Sequence, residues 1–165
     1  MREYINVLKN CILFKGIEEE NIIPLLSCIN GKKKVFKNGQ TIYYEGDKIT
    51  EIGIVLDGSI ELIRYDYNGN KSIVDGGGIS EIFGESFACL EKNIPISIET
   101  KEDSVICFVD VRRIIKTCSN SCNFHNSLIH NLLESLAVKN MILNQKIEVT
   151  SKRTTRDKLL NYLNL

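Results

Sequence analysis

The spacing of hydrophobic positions changes twice along the chain. In residues 1–29 apolar side chains recur at helical spacing, and Gly16 divides the run into two predicted helices. In residues 32–110 hydrophobic and polar positions alternate in short runs separated by turn residues, which is typical of β-strands. The remainder is again helical, and residues 121–149 contain neither glycine nor proline. The pattern therefore predicts helices on both sides of a β-rich centre.

The alternating region predicts a set of short strands joined by tight turns. The Asn68-Gly69 pair between two alternating runs indicates a β-hairpin, because both residues tolerate the positive φ of such a turn. Strands spaced about 8–12 residues apart favour a sandwich or a jelly-roll-like barrel. After the last strand, Asp110 is a predicted cap for a short helix. The predicted strands are Val35 and residues 41–44, 51–56, 59–65, 71–74, 96–100 and 104–109.

The long C-terminal helix carries a hydrophobic stripe that one barrel does not fully cover. At about 1.5 Å of rise per residue, a helix over residues 121–149 would project beyond a domain of this size. The economical cover for the remaining stripe is the same helix from a second copy, which makes a homodimer with a coiled-coil-like pair. A helix lying wholly on its own barrel is the alternative. The predicted dimer interface is Ile129, Leu132, Leu136, Leu143 and Ile147.

Composition is that of an ordinary globular protein. Of the 165 residues, 43% are hydrophobic and 25% are charged, which is enough to fill a core without disulfide or metal. Lys plus Arg and Asp plus Glu are 21 each, so the bulk composition holds no basic nucleic-acid surface. No hydrophobic run approaches a membrane span, and the N-terminus lacks the features of a signal peptide. We expect a cytoplasmic protein with no membrane partner.

The inventory of reactive side chains argues against an enzyme. The histidines, His125 and His130, both fall in the long helix, whereas a metal-dependent barrel enzyme needs two or three histidines inside the barrel. A Cys122–His125 pair has the reach of a nucleophile and its base, but such local pairs are far more often incidental. We expect no catalytic residue, no metal and no cofactor, with most cysteines buried as free thiols. Whether Cys118 and Cys122 respond to oxidants stays open.

One segment of the barrel has the pattern of an anion site. In residues 82–90 a strand ends, Gly84 follows and a short helix begins. The glycine permits close approach of a ligand to the free N–H groups at the helix start. Glu85 can accept hydrogen bonds from those N–H groups or from ligand hydroxyls. Alternatively, it is a first-turn acid that opposes the helix dipole.

Taken in order, several segments resemble the sensor half of Crp/Fnr-type bacterial transcription regulators. The matching segments are residues 13–17 with 25–26 (opening helices), 36–42 and 45–47 (first strands), 54–62 (central strands), 83–85 (start of the phosphate-binding cassette), the long helix (dimerisation helix), and 151–152 with 156–163 (hinge and first helix of a winged helix-turn-helix domain).

The resemblance implies a mainly β fold with flanking helices. Its centre is a double-stranded β-helix, a jelly-roll-like barrel of the cyclic-nucleotide-binding type. The effector-binding domain would cover residues 1–149, including the dimerisation helix at about 121–149. Residues 150–165 would form the hinge and the first helix of a truncated DNA-binding domain.

The resemblance also places an effector pocket. Gly84 and Glu85 match positions that meet ribose and phosphate in cyclic-AMP-binding members. The arginine that neutralises the phosphate in those members is replaced by Pro95, which supplies neither charge nor N–H. The flexible Lys92 nearby does not reproduce an arginine fork, and a buried phosphate needs compensation. We therefore expect an effector other than cyclic AMP, in a pocket formed by Gly84, Glu85, Ser86, Pro95, Ile96, Ser97 and Asn140.

Three functional hypotheses follow from the sequence. The first is a homodimeric, effector-sensing domain of a Crp/Fnr-type regulator, reaching DNA only through a domain absent from this chain. The second is a true cyclic-nucleotide-binding regulatory domain in which other groups compensate for Pro95. The third is a ligand-free barrel that serves only dimerisation. The sequence names neither the effector nor the promoters, and it does not separate an activator from a repressor.

Overall fold

The computed structural model describes residues 1–116 and 123–163, and within them it contains two four-stranded antiparallel sheets. One sheet has the strand order β1-β8-β3-β6 and the other has β2-β7-β4-β5. Together they form the barrel that the alternating pattern predicts. The strands are β1 (Lys32–Phe36), β2 (Thr41–Tyr43), β3 (Glu51–Asp57), β4 (Ile60–Tyr65), β5 (Lys71–Gly77), β6 (Ile82–Phe83), β7 (Ser97–Thr100) and β8 (Ser104–Asp110).

Helices flank the sheets, as the sequence predicts. Gly16 has a φ of +74°, which a glycine adopts readily, and it separates the first two helices. The Asp110 carboxylate accepts a hydrogen bond from the N–H of Arg112 at 2.9 Å, which confirms the predicted cap. Short 3-10 turns cover Arg2–Tyr4 and Ile12–Phe14. The helices are α1 (Ile5–Asn10), α2 (Glu19–Cys28), α3 (Glu85–Leu90), α4 (Val111–Ile115), α5 (Asn123–Thr150) and α6 (Thr155–Leu163).

The glycine run after residue 74 is strand rather than turn. Gly76 and Gly77 pair with Glu61 and Ile60 of β4, so β5 extends three residues beyond its predicted end. A Cβ added to Gly77 would lie 3.3 Å from Ile60 Cγ1, tighter than ordinary packing. The glycines thus allow the β4 backbone to come close. In the sequence pattern alone, the same glycines indicate a turn.

An aromatic cluster fills the centre of the core. The ring of Phe108 meets the rings of Phe36, Tyr43 and Phe83 edge-on, with centroids 6.1–6.3 Å apart. Gly53 pairs with both Phe83 and Phe108 across neighbouring strands. A Cβ at Gly53 would overlap the Phe83 ring, so the missing side chain makes the room that this ring occupies. The position of Phe83, and of the residues after it, depends on that space.

The chain divides into two compact units, Met1–Leu132 and Leu133–Leu165. The first holds the barrel, its flanking helices and the start of α5, and the second holds the rest of α5 and α6. The domain boundary expected at residues 149 and 150 stays a prediction. No helix in the described ranges has both the length and the hydrophobicity that a bilayer crossing requires.

The cysteines that the structure describes are free thiols. Cys11 and Cys107 are buried, and Cys28 and Cys89 are half-buried. Cys118 and Cys122 lie outside the described residues. Among residues 1–116 and 123–163, no group of three or more His, Cys, Asp or Glu side chains is placed to hold a metal ion.

Candidate functional site

The first half of the candidate site is the corner where β6 ends and α3 begins. Gly84 caps the helix with a left-handed φ of +78°, which residues with a side chain rarely adopt. Phe83 before it is fixed by the aromatic core. Glu85 after it is only 3% exposed, so its carboxylate lies inside the protein rather than on the surface. Phe83 and Glu85, on the two sides of Gly84, therefore fix the backbone at this corner.

The second half of the site is the loop that leads into β7. The N–H of Ile94 donates to the carbonyl of Asp47 at 2.9 Å, and the N–H of Gly46 donates to the carbonyl of Ile94 at 2.8 Å. The N–H of Glu45 donates to Oγ of Ser97 at 3.1 Å. These hydrogen bonds hold the loop before β7 against residues 45–47.

Pro95 stands in this loop where the resemblance places an arginine. Its ring is exposed, although Ile94 and Ile96 on either side are buried. Two lysines belong to the neighbouring turns. Lys48 forms an ion pair with Glu91 at 3.5 Å, and the side chain of Lys92 is exposed. Position 95 therefore offers an anion neither a charge nor a hydrogen-bond donor.

Residues 45–51 join the two halves of the site. At one end, Glu45 and Asp47 hold the loop before β7. At the other, a Cβ added to Gly84 would lie 3.6 Å from Cγ2 of Ile49 and 3.7 Å from the carbonyl oxygen of Glu51, both ordinary contact distances. In the sequence, residues 45–47 stand out only as a segment that resembles the first strands of the family. Its role as a shared wall depends on long-range hydrogen bonds that no local pattern reveals.

Burial and nearby carboxylates both act on titratable side chains around this wall. Burial, with smaller contributions from the carboxylates of Glu51 and Asp47, raises the pKa of Tyr43 to about 12. Burial also raises the pKa of the Cys89 thiol, with an added contribution from the Glu85 carboxylate. Burial is the larger cause of both shifts, and the carboxylates add to it.

The remaining predicted pocket residues lie in different surroundings. Ser97 is buried, with its hydroxyl engaged by Glu45, whereas Ser86 is exposed on α3. Asn140 is exposed in the second unit, where its Oδ1 accepts a hydrogen bond from Nδ2 of Asn144 at 2.9 Å. Two surface clefts, of about 550 and 810 Å³, lie on the N-terminal helices rather than at the predicted pocket.

The N-terminal part of the predicted dimer stripe is largely buried, and its C-terminal part is exposed to solvent. Leu132 is only 4% exposed, so the first unit already buries it. Ile129 and Leu136 are half-buried. Leu143 and Ile147 are 56% and 57% exposed, which leaves the C-terminal part of the stripe in contact with solvent.

His125, considered above as a general base, is buried and holds two helices together. Its side chain is 1% exposed, and Nε2 donates to the carbonyl oxygen of Arg113 at 3.0 Å. This bond joins the start of α5 to α4. Cys122, its proposed nucleophilic partner, lies outside the described residues.

A family model described as the cyclic nucleotide-binding domain matches residues 33–121. This range contains every strand except the first residue of β1, together with both halves of the candidate site. No curated protein sequence matches the chain.

Solved structures with this fold include several sensor domains. The catabolite activator protein of Thermus thermophilus aligns with a TM-score of 0.71 and 22% identity, over 85% of this chain and 63% of that one. A cyclic nucleotide-binding domain from Methylobacillus flagellatus KT aligns with a TM-score of 0.77 and 15% identity, over 93% and 88%. The sensor domain of the transcriptional regulator DNR from Pseudomonas aeruginosa aligns with a TM-score of 0.65 and 16% identity, over 93% and 96%. The resemblance to Crp/Fnr-type sensor domains is confirmed at the level of the fold.

Proposed function

The chain belongs to the family of cyclic nucleotide-binding domains, and we propose that it senses an effector other than cyclic AMP for a Crp/Fnr-type transcription regulator. The family and the fold are those of regulatory binding domains. The observation that carries the proposal is the exposed Pro95, which supplies neither charge nor N–H at the position where the resemblance places an arginine. An effector would bias the packing of α5, and only a few kcal/mol of differential binding is needed to shift such an equilibrium.

The binding of a cyclic phosphate at this site would be energetically unfavourable. The carboxylates of Glu51 and Asp47 lie close enough to Tyr43 in this wall to contribute to its raised pKa. A desolvated phosphate requires charge-assisted hydrogen bonds, which Pro95 does not provide. A neutral or cationic small molecule is compatible with this charge distribution. We therefore assign the effector to one of those two classes.

A second candidate function is true cyclic-nucleotide recognition. The specific observation in its favour is the Gly84–Glu85 corner, which presents a left-handed glycine and a buried carboxylate in the order that the resemblance requires. In this case another cation would have to move toward the phosphate, and Lys92 is the exposed candidate.

Calorimetry of this chain with cyclic AMP and cyclic GMP separates the two candidates. We expect a dissociation constant weaker than about 100 μM for both nucleotides. Micromolar binding that is abolished by Glu85→Gln would contradict the proposal and establish the second candidate. A thermal-shift screen of neutral and cationic metabolites should then find a stabilising ligand. If no compound raises the melting temperature, the third hypothesis, a ligand-free dimerisation barrel, is favoured.

We also propose that the regulator is a homodimer through the C-terminal part of α5. Leu143 and Ile147 lie one helical turn apart on the stripe, and both are more than half exposed. Burying them against a second helix would remove this apolar surface from water. Leu143→Lys combined with Ile147→Lys should yield a monomer in sedimentation, whereas the exposed Lys139→Glu is the control that leaves the assembly unchanged. An unchanged dimer in the double variant would show that another surface pairs the chains.

A further inference from the structure

The loop before the candidate site is attached to the N-terminal helices by one side chain. Ser80 stands four residues before Gly84, and its Oγ donates to the carbonyl oxygen of Val7 in α1 at 2.9 Å. Its own N–H donates to the carbonyl of Val55 at 2.9 Å. Ser80 has a φ of +72°, which is unfavourable for a residue other than glycine. The two hydrogen bonds therefore hold a strained residue in place.

The start of α5 is attached to the same helices by another side chain. Asn131 is 4% exposed, and its Nδ2 donates to the carbonyl of Leu13 at 3.0 Å and to the carbonyl of Lys15 at 2.8 Å. One carboxamide thus spans the turn that follows α1. A carboxylate or an apolar side chain at this position would leave the carbonyls of Leu13 and Lys15 without these donors.

Between these two attachments the N-terminal segment contributes four buried side chains to the core. Residues 7–15, which connect Val7 to the turn held by Asn131, are defined here as the link segment. Leu8 and Leu13 are fully buried, and Cys11 and Phe14 are 1% exposed. Backbone bonds from Cys11 to Leu8 and from Phe14 to Cys11 close its turns at 3.1 and 3.0 Å. Because these four side chains are close-packed in the core, a displacement at one end of the segment is transmitted through them to the other.

We propose that the link segment couples the loop before the candidate site to helix α5, with Ser80 and Asn131 as the positioning residues at its two ends. A shift of the 80–84 segment would pull on Val7 and reach Asn131 through the packed turns. The use of this coupling in signalling depends on the proposed function, whereas the coupling itself is a property of the fold. It is therefore testable without any effector.

Hydrogen exchange measured on the intact chain tests the coupling in both directions. Ser80→Ala should accelerate exchange at amides of residues 124–132 by at least about threefold relative to amides of β3 and β8, which report global opening. Asn131→Leu should likewise accelerate exchange at residues 80–84. Asn131→Gln, which retains the amide, should restore part of the protection that Asn131→Leu removes. Faster exchange confined to the neighbourhood of each substitution would overturn the proposal.

A double-mutant cycle gives an independent measurement. Ser80 and Asn131 bond to different residues, so without coupling their effects on the unfolding equilibrium should multiply. We expect the combined variant to differ from that product by at least about twofold. If Ser80→Ala folds poorly, Ser80→Gly replaces it in the cycle, because glycine also removes the hydroxyl and relieves the strained φ. Ser27→Ala is the matched control, because it removes a serine bond to the Ile23 carbonyl within α2 alone.

The outcomes are distinct from those of the effector experiments. Ser27→Ala and the Asn131 substitution are expected to have effects on the unfolding equilibrium that simply multiply. If the effects of the Ser80 and Asn131 substitutions multiply in the same way, the link segment carries no coupling and the inference fails. If the cycle shows coupling and no effector is found, the inference stands and the proposed function fails.

Discussion

Replacing Pro95 with arginine should convert the candidate site into one that binds cyclic AMP. The substitution adds a guanidinium fork and a backbone N–H at the position where the site now has neither. The surrounding loop should keep its shape. The backbone of Ile94 is bonded through both its N–H and its carbonyl, and the ring of Pro95 is exposed rather than packed in the core.

The expected gain follows from the hydrogen bonds that the arginine would form. A hydrogen bond to a charged group contributes about 1.5–3 kcal/mol net. Position 95 is exposed to solvent, which weakens charged interactions, so we expect the lower part of that range. This corresponds to a roughly 10- to 30-fold decrease in the dissociation constant for cyclic AMP, since about 1.4 kcal/mol is tenfold.

Calorimetry of Pro95→Arg, compared with two controls, measures this gain. Pro95→Ala restores the N–H without the charge and should recover only a small part of the effect. Lys92→Arg adds a guanidinium to an exposed position of the same loop and should change little. If Pro95→Arg folds normally by circular dichroism and binds cyclic AMP no better than Pro95→Ala, the missing counter-charge is not what excludes the nucleotide.

Two further predictions concern the core behind the site. Gly53→Ala should lower the free energy of unfolding by about 1–3 kcal/mol in chemical denaturation, because its Cβ would overlap an aromatic ring. Gly78→Ala, where no described atom lies within 4 Å of the added carbon, should cost far less, and an equal loss would show that the core can adjust. The thiol of Cys107 should resist alkylation at pH 8 until the protein unfolds, because burial raises its pKa to about 12 and keeps it protonated. Rapid labelling of native Cys107, followed by peptide mass spectrometry, would contradict this burial.

Local features of the fold could be predicted because each has a cause within a few residues. The Asn68-Gly69 hairpin is present, with Gly69 at φ +81° and its N–H bonded to the Asp66 carbonyl at 2.9 Å. The cap at Asp110 and the helix end at Gly16 are further examples. In each case a side chain or a required φ acts on its own neighbours, so the sequence pattern contains the whole explanation.

Pairings between distant segments could not be predicted in this way. β1 lies beside β8, and Lys32 pairs with Phe108 although nothing in either strand specifies the other. The same limit applies to the site. The bond from Glu45 to Ser97 joins residues 52 apart, so no local pattern shows that residues 45–51 lie against the loop before β7. Alternation identifies which face of a strand is buried but not which strand lies next to it.

The Gly84–Glu85 corner is in itself weak evidence for a nucleotide. The backbone turns from β6 into α3 through a left-handed φ at residue 84, so a glycine would be favoured there even in a barrel that binds nothing. A buried acid at the first position of the helix is likewise favoured by the helix dipole. Position 95 has no such structural requirement, because its side chain is exposed and the loop is held by the backbone of Ile94. The residue at position 95 is thus free to vary with the ligand, and for this reason it discriminates between effectors better than the motif that identifies the family.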